Sequence, residues 1–123
     1  MSKRPVTVAV DFDGVLHAYR KGWYDGTIYD EPVPGAKEGM QALLDRGFKV
    51  TVFTTRVSDE QSRREVEYWL NQHEIPYTTV WPLSGKPPYA CLIDDRAVRF
   101  EKWDAPLLEE VQDVIDHEGR STK

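Results

Sequence analysis

Two short apolar runs in this chain each end in a pair of aspartates. Residues 6–10 lead into Asp11 and Asp13, and residues 91–93 lead into Asp94 and Asp95. Continuous β-branched and aliphatic runs are typical of parallel strands that are buried on both faces, and open α/β folds build their sites at the carboxyl ends of such strands. The pattern therefore favours a parallel sheet with four carboxylates at one edge.

Four carboxylates at one sheet edge repel one another, by about 4 kcal/mol for each close pair at an effective dielectric constant near 20. A bound cation offsets this repulsion, and Mg²⁺ is the usual hard ion for ligand sets made only of oxygen. We therefore expect a Mg²⁺ site that involves Asp11, Asp13, Asp94 and Asp95.

The size and charge of the chain exclude several classes of protein. Its 123 residues suit one domain, residues 1–123, with 40% hydrophobic and 30% charged residues. The net charge of −5 and the lack of a basic block argue against a nucleic-acid backbone as a bulk partner. No stretch approaches the roughly 18 apolar residues of a membrane span, and no signal peptide precedes the first run, so we expect a soluble cytoplasmic protein with no membrane partner. The single cysteine, Cys91, suits a reducing compartment and is expected to be a small buried core residue.

Predicted strands alternate with predicted helices along the chain. The strands are expected at 6–10, 48–54, 77–81 and 92–93, with a short edge strand at 98–100. The helices are expected to begin after Pro34-Gly35, at Ser58 with Gln61 as its capping-box partner, and at Asp104. This alternation implies parallel pairing through right-handed crossovers. The expected fold is a three-layer, Rossmann-like α/β sheet flanked by helices.

Residues 16–31 interrupt this alternation. The segment is rich in aromatic residues and contains Asp25-Gly26, a strong signal for a β-hairpin. We expect a small hairpin flap over the aspartates. Residues 57–85 are used by a helix and a strand, which leaves no room for a second cap. The open site should either admit a bulky or polymeric substrate or be closed by a neighbouring subunit.

The carboxyl ends of the strands bring together groups that suit phosphoryl transfer. Asp11 and Asp13, then Thr54 with Thr55 and Arg56, then Lys86, and finally the second acidic pair should meet there. A carboxylate can attack phosphorus, and a second acid can protonate the leaving oxygen and then activate water. Hydroxyl, ammonium and metal groups can hold the phosphoryl oxygens.

The same residues resemble the motifs of the haloacid dehalogenase (HAD) superfamily. Asp11-Phe12-Asp13-Gly14-Val15 is similar to motif I, DxDx[TV], and Val52-Phe53-Thr54 is similar to motif II. Gly85-Lys86-Pro87 resembles motif III, and Leu92-Ile93-Asp94-Asp95 resembles the acidic motif IV. All four occur in the family's order and span most of the chain. Lys86 precedes Asp94 by only eight residues, so the lysine must come from a loop, as in small HAD phosphatases and polynucleotide 3′-phosphatase-like domains.

The resemblance implies a phosphatase with an aspartyl-phosphate intermediate. Asp11 would be the nucleophile and, with Asp94, a Mg²⁺ ligand. Asp13 would be the general acid and base and would bind the metal through its backbone carbonyl. Thr54 would hydrogen-bond the phosphoryl group, helped by the Thr55 backbone, and Lys86 would neutralise it. Asp95 is left either as a second ligand or as an orienting group for Lys86.

The expected substrate is a phosphorylated small molecule or nucleotide, or the 3′-phosphate end of a nucleic acid. Tyr19, Trp23 and Tyr24 either stack on a base or sugar or pack the flap onto the domain. Arg56, like Arg96, either grips a second anionic group or forms a surface ion pair. The oligomeric state is left open.

Two other functions use similar residues. A receiver-type phospho-acceptor domain also contains acids, Thr and Lys on an α/β sheet. Its accepting aspartate belongs on a middle strand, however, and here the middle strands end in Thr54 and Trp81. The other alternative is a catalytically silent HAD-fold binding module, which would gain little from an acid at position 13.

Overall fold

The first apolar run forms a central strand of a parallel sheet. In the computed structural model, which describes residues 6–82 and 87–117, strand β1 is Thr7–Asp11. Strands β2 (Lys49–Phe53), β3 (Thr79–Val80) and β4 (Cys91–Ile93) run parallel to it in the order β3-β2-β1-β4. The predicted parallel α/β sheet is confirmed, and β1 lies between β2 and β4.

Within residues 6–82 and 87–117, three helices flank the sheet: α1 (Ala36–Asp45), α2 (Glu60–Gln72) and α3 (Ala105–His117). The start predicted for α2 is wrong by one residue, because Asp59 rather than Ser58 caps the helix. The Asp59 carboxylate accepts a hydrogen bond from the Ser62 backbone N–H at 2.8 Å, and the Ser62 hydroxyl accepts one from the Asp59 N–H at 3.1 Å. No helix in the described ranges is long and apolar enough to cross a membrane.

The core is formed by β1 and β2 together with residues from α1 and α2. Phe12, directly after β1, is fully buried, and its ring meets the Trp69 indole of α2 edge-to-face at 5.2 Å. The other buried apolar residues in this cluster are Val8, Val10, Leu16, Met40, Val50, Val52, Val57, Val66, Leu70, Ile75 and Val80. Phe12 therefore anchors the segment that carries Asp11 and Asp13.

The part of the sheet that includes β4 is less covered than the sequence predicts. Cys91 is exposed rather than buried, because β4 is a three-residue edge strand. Residues 98–100 are irregular, so the predicted edge strand is wrong. On α3, Leu107 is buried, whereas Leu108 is 63% exposed.

The predicted hairpin at 16–31 is instead a loop made of turns, which we call the flap loop. Its base is closed by two antiparallel hydrogen bonds, from the Ala18 N–H to the Glu31 carbonyl and from the Val33 N–H to the Leu16 carbonyl. No strand ladder continues above this base, because Tyr19 has a φ of 60°, a backbone conformation that a strand does not contain. The flap loop follows β1 as expected, but it is made of turns and not of two paired strands.

Candidate active site at the carboxyl edge of the sheet

Three aspartates meet at the carboxyl ends of β1 and β4. Val10 is in register with Ile93, so Asp11 and Asp94 follow paired positions on adjacent strands. One carboxylate oxygen from each of Asp11, Asp94 and Asp95 lies within 4.8 Å of the others. These oxygens are near enough to ligate one cation, since Mg²⁺ binds oxygen at about 2.1 Å and opposite ligands lie about twice that distance apart.

The electrostatics of Asp11 reflect this crowding. Burial raises the pKa of the Asp11 carboxyl to about 7, and the negative charges of Asp94, Asp95 and Asp13 add to the increase. A hydrogen bond from the Phe12 backbone acts in the opposite direction and only partly offsets it. The site without a cation therefore resists ionisation of Asp11.

Gly14 allows Asp95 to join this cluster. A Cβ atom on Gly14 would lie 2.1 Å from the Asp95 Oδ2 atom, and the φ of Gly14 is +88°. Both the space and the backbone conformation therefore require glycine at this position. The glycine of the first motif thus has a direct geometric link to the second acidic pair.

The Asp13 side chain lies outside this triad and points to a different set of partners. The backbone turns immediately after Phe12, whose carbonyl accepts hydrogen bonds from the Leu16 and His17 N–H groups at 2.9 Å. Asp13 Oδ1 is 2.8 Å from His17 Nδ1, and Arg56 Nε donates to Oδ1 at 3.0 Å and to Oδ2 at 2.8 Å. Although burial opposes the change, these hydrogen bonds and the charge of Arg56 lower the pKa of Asp13.

His17 is a site residue that the sequence analysis missed. It is fully buried, and its Nε2 atom accepts a hydrogen bond from the Asp30 N–H at 3.0 Å. Because Nε2 is an acceptor, Nδ1 must carry the proton that is donated to Asp13. A histidine four residues after an aspartate is the signal that could have revealed this pair.

Arg56 lies inside the protein and not on its surface. Its side chain is only 6% exposed, and its guanidinium packs against the Trp23 ring at 4.9 Å and the Tyr19 ring at 5.7 Å. Nη1 donates to the Gly26 carbonyl at 2.9 Å, while Nη2 has no acceptor among the described residues. The sequence left Arg56 either to grip a second anionic group or to form a surface ion pair. The second interpretation is wrong, because the side chain is buried.

The remaining predicted site residues differ in how they are placed. Thr54 is buried directly after β2, and its hydroxyl accepts a hydrogen bond from the Arg56 N–H at 3.2 Å. Phe53 is in register with Asp11, so Thr54 is positioned beside the end of β1. Thr55 is exposed. Lys86 lies outside the described residues.

An open cleft of about 640 Å³ adjoins the acid triad at Asp95 and Gly14. Tyr19 and Trp23 of the flap loop and Arg96 line it. Its volume lies within the range of sites that bind small molecules. Tyr24 packs against Tyr29 at 5.7 Å and is not part of the lining.

Comparisons with known proteins show a shared fold and no shared family. No family model and no curated protein matches the chain. A conserved protein from Bacteroides thetaiotaomicron is 20% identical, with a TM-score of 0.59 over 96% of this chain and 94% of that chain. A protein of known crystal structure from Vibrio cholerae is 23% identical, with a TM-score of 0.48 over 92% of this chain and 98% of that chain. At these identities the first likeness shows a shared fold alone, and the second adds no argument.

Proposed function

We propose that this protein is a Mg²⁺-dependent phosphomonoester hydrolase that works through an aspartyl-phosphate on Asp11. The observation that carries the proposal is that the acids occupy two separate positions in the site. Asp11, Asp94 and Asp95 form a triad, while Asp13 is oriented separately by His17 and Arg56. Membership of the HAD superfamily is part of the proposal, and the order of the four sequence motifs supports it.

The acid triad fits a hard divalent cation. Its donors are all carboxylate oxygens, and their mutual repulsion is relieved by positive charge. Asp11, Asp94 and Asp95 would hold Mg²⁺, together with the backbone carbonyl of Asp13. When bound, Mg²⁺ neutralises the acid cluster and polarises the phosphoryl oxygens.

The chain's own residues carry the two chemical steps. A carboxylate oxygen of Asp11 forms a bond to phosphorus while the bond to the leaving oxygen breaks, and that oxygen takes the proton of an Asp13 carboxyl that has first been protonated. Asp13 then takes a proton from water, whose oxygen attacks phosphorus and releases phosphate from Asp11. Thr54 hydrogen-bonds the phosphoryl group, and Lys86 neutralises its charge.

The test is release of phosphate from p-nitrophenyl phosphate with Mg²⁺ and with EDTA. We expect turnover only with the metal, and a loss of at least a thousandfold in Asp11→Asn, since the amide cannot attack phosphorus. Gln41→Glu, on the exposed face of α1, is the matched control and should leave the rate unchanged. Full activity in Asp11→Asn would contradict the proposal. Metal binding without turnover would favour the silent binding module, and stable stoichiometric phosphorylation would favour the receiver-like domain.

We propose nucleotides or nucleic-acid 3′-phosphate ends as the substrate class. Trp23, which lines the cleft, is 58% exposed, and an open cleft suits a large leaving group. A substrate panel should show higher kcat/KM for nucleotides and 3′-phosphate oligonucleotides than for sugar phosphates. The reverse order would contradict this substrate class and leave the hydrolase proposal intact.

A further inference from the structure

The buried side chain of Arg56 joins the flap loop to Asp13. Arg56 follows β2 and lies 43 residues after Asp13 in the chain. Its side chain contacts both the Asp13 carboxylate and the flap loop. We propose that Arg56 is a positioning residue that couples the closed flap loop to the orientation of the Asp13 carboxylate. The inference rests on the proposed function for the role of Asp13, but the coupling itself is a property of the protein alone.

The contacts of Arg56 divide between the two parts that it joins. On one side, Nε is within 3.0 Å of both oxygens of Asp13. On the other side, Nη1 holds the Gly26 carbonyl, and the guanidinium packs against the Trp23 and Tyr19 rings. Because the guanidinium is rigid and planar, these contacts fix one geometry, which a lysine ammonium cannot reproduce.

Burial makes the coupling strong. A buried arginine that loses its acidic partner is left as an uncompensated charge, which is strongly unfavourable. The closed flap loop keeps Arg56 covered, and the covered Arg56 needs Asp13 as its partner. Opening of the flap loop and release of Asp13 are therefore expected to occur together.

His17 provides a second connection from the same loop. It donates to Asp13 from Nδ1 and accepts from the Asp30 N–H with Nε2. Asp30 is in turn held by Arg20 and by the Trp69 indole N–H, which donates to its carbonyl at 3.2 Å. The base of the flap loop is thus fixed through His17, and the part of the loop that contains Trp23 and Gly26 is fixed through Arg56.

The first experiment is a kinetic double-mutant cycle with p-nitrophenyl phosphate and Mg²⁺. We expect Arg56→Met to lower kcat at least tenfold with KM changed less than twofold, and Arg56→Lys to recover part of the loss. In an Asp13→Ala background, Arg56→Met should cost less than a further twofold, because its effect acts through Asp13. An equal loss in both backgrounds would overturn the proposal. Arg64→Met, an exposed arginine paired with Glu60, is the matched control.

The second experiment does not depend on activity. Trypsin cleavage after Arg20 and Lys21, followed by mass spectrometry, reports opening of the flap loop. We expect cleavage at least five times faster in Arg56→Met and in Asp13→Ala, and unchanged in Arg64→Met. Should Arg56→Met fail to fold by circular dichroism, Arg56→Lys and Asp13→Ala provide the measurement.

The two experiments separate the two proposals. If the wild-type protein shows no turnover, the hydrolase proposal fails, and the proteolysis result decides the coupling by itself. Unchanged cleavage in both Asp13→Ala and the Arg56 variant would overturn the coupling even in an active enzyme.

Discussion

At the scale of the single residue, Asp13 is the side chain whose environment most limits the proposed hydrolysis. Hydrogen bonds from His17 and Arg56 lower its pKa against the opposing effect of burial, so Asp13 is a carboxylate at neutral pH. That form is ready to accept a proton from the attacking water. Donating a proton to the leaving oxygen requires that Asp13 first be protonated.

This environment predicts a dependence on the leaving group. Asp13→Asn should lower kcat for an alkyl phosphate by about 10² to 10⁴-fold, the usual contribution of general acid–base catalysis. The loss for p-nitrophenyl phosphate should be smaller, because nitrophenolate leaves without a proton. Steady-state rates with the two esters test this, and equal losses would contradict the acid role of Asp13.

A second prediction concerns Gly14. Gly14→Ala should weaken Mg²⁺ binding at least tenfold, because the new Cβ would force the Asp95 carboxylate away from the triad. Isothermal titration calorimetry with Mg²⁺ measures the change. Gly39→Ala in α1 is the control: a Cβ there meets nothing within 4 Å, and stability should rise by about 0.5–1 kcal/mol. Unchanged Mg²⁺ affinity in Gly14→Ala would show that Asp95 is not a ligand.

The sequence was sufficient for some of these residues and not for others. Asp11, Asp94 and Asp95 could be placed together because Asp11 ends one strand, the other two follow a second strand, and parallel strands end at the same edge. The pairing of Arg56 with Asp13 could not be predicted, because it depends on how the flap loop folds over two separate strand ends. The same physical reason explains why the sequence left Arg56 open between gripping a second anionic group and forming a surface ion pair.

At the scale of the element, the accuracy of each prediction follows the strength of the local signal. The start of α1 was predicted correctly, because Pro34-Gly35 is a strong local signal and the helix begins at the next residue, Ala36. The flap loop was predicted poorly because Asp25-Gly26 reads locally as a hairpin turn. In the structure the Asp25 carboxylate instead accepts hydrogen bonds from the Thr27 N–H at 3.1 Å and the Thr27 hydroxyl at 2.6 Å.

The cap of α2 gives a prediction at this scale. Asp59→Ala should lower the free energy of unfolding by about 1 kcal/mol, the typical cost of removing a capping side chain. Urea denaturation followed by circular dichroism measures it. Asp45→Ala at the last turn of α1 is the matched control and should change stability little. A loss in Asp59→Ala no larger than in Asp45→Ala would show that the cap adds nothing.

At the scale of the whole molecule, the acid triad links stability to pH and, through the proposed Mg²⁺ site, to metal. The folded protein without metal holds the pKa of Asp11 near 7, above its ordinary value of 3.8. The contribution of Asp11 to the free energy of unfolding is therefore fully present below about pH 4 and is lost as pH rises through 7. In EDTA, the free energy of unfolding should therefore fall between pH 5 and pH 8. The carboxyls with lowered pKa, which affect stability below this pH window, are Asp13, Asp25, Asp30 and Asp59.

Two comparisons make this measurement specific. Asp11→Asn should remove the decline with pH. Mg²⁺ at about 100 times its dissociation constant should stabilise the wild-type protein at pH 8 by about 2.7 kcal/mol. Urea midpoints in EDTA that stay flat from pH 5 to pH 8 in the wild-type protein would contradict the proposed burial of Asp11 among other acids.

The order of the strands also has a consequence for synthesis. β1, β2 and β3 are complete once residue 80 has been made, but Asp94 and Asp95 follow β4 at the edge of the sheet. At about 5–20 residues per second, a ribosome adds them about one to three seconds later. The nascent chain thus carries Asp11 for that interval without the residues that crowd it. Binding of the proposed Mg²⁺ would therefore come late in synthesis. It would stabilise the correct docking of the last strand but would not guide the folding of the first three.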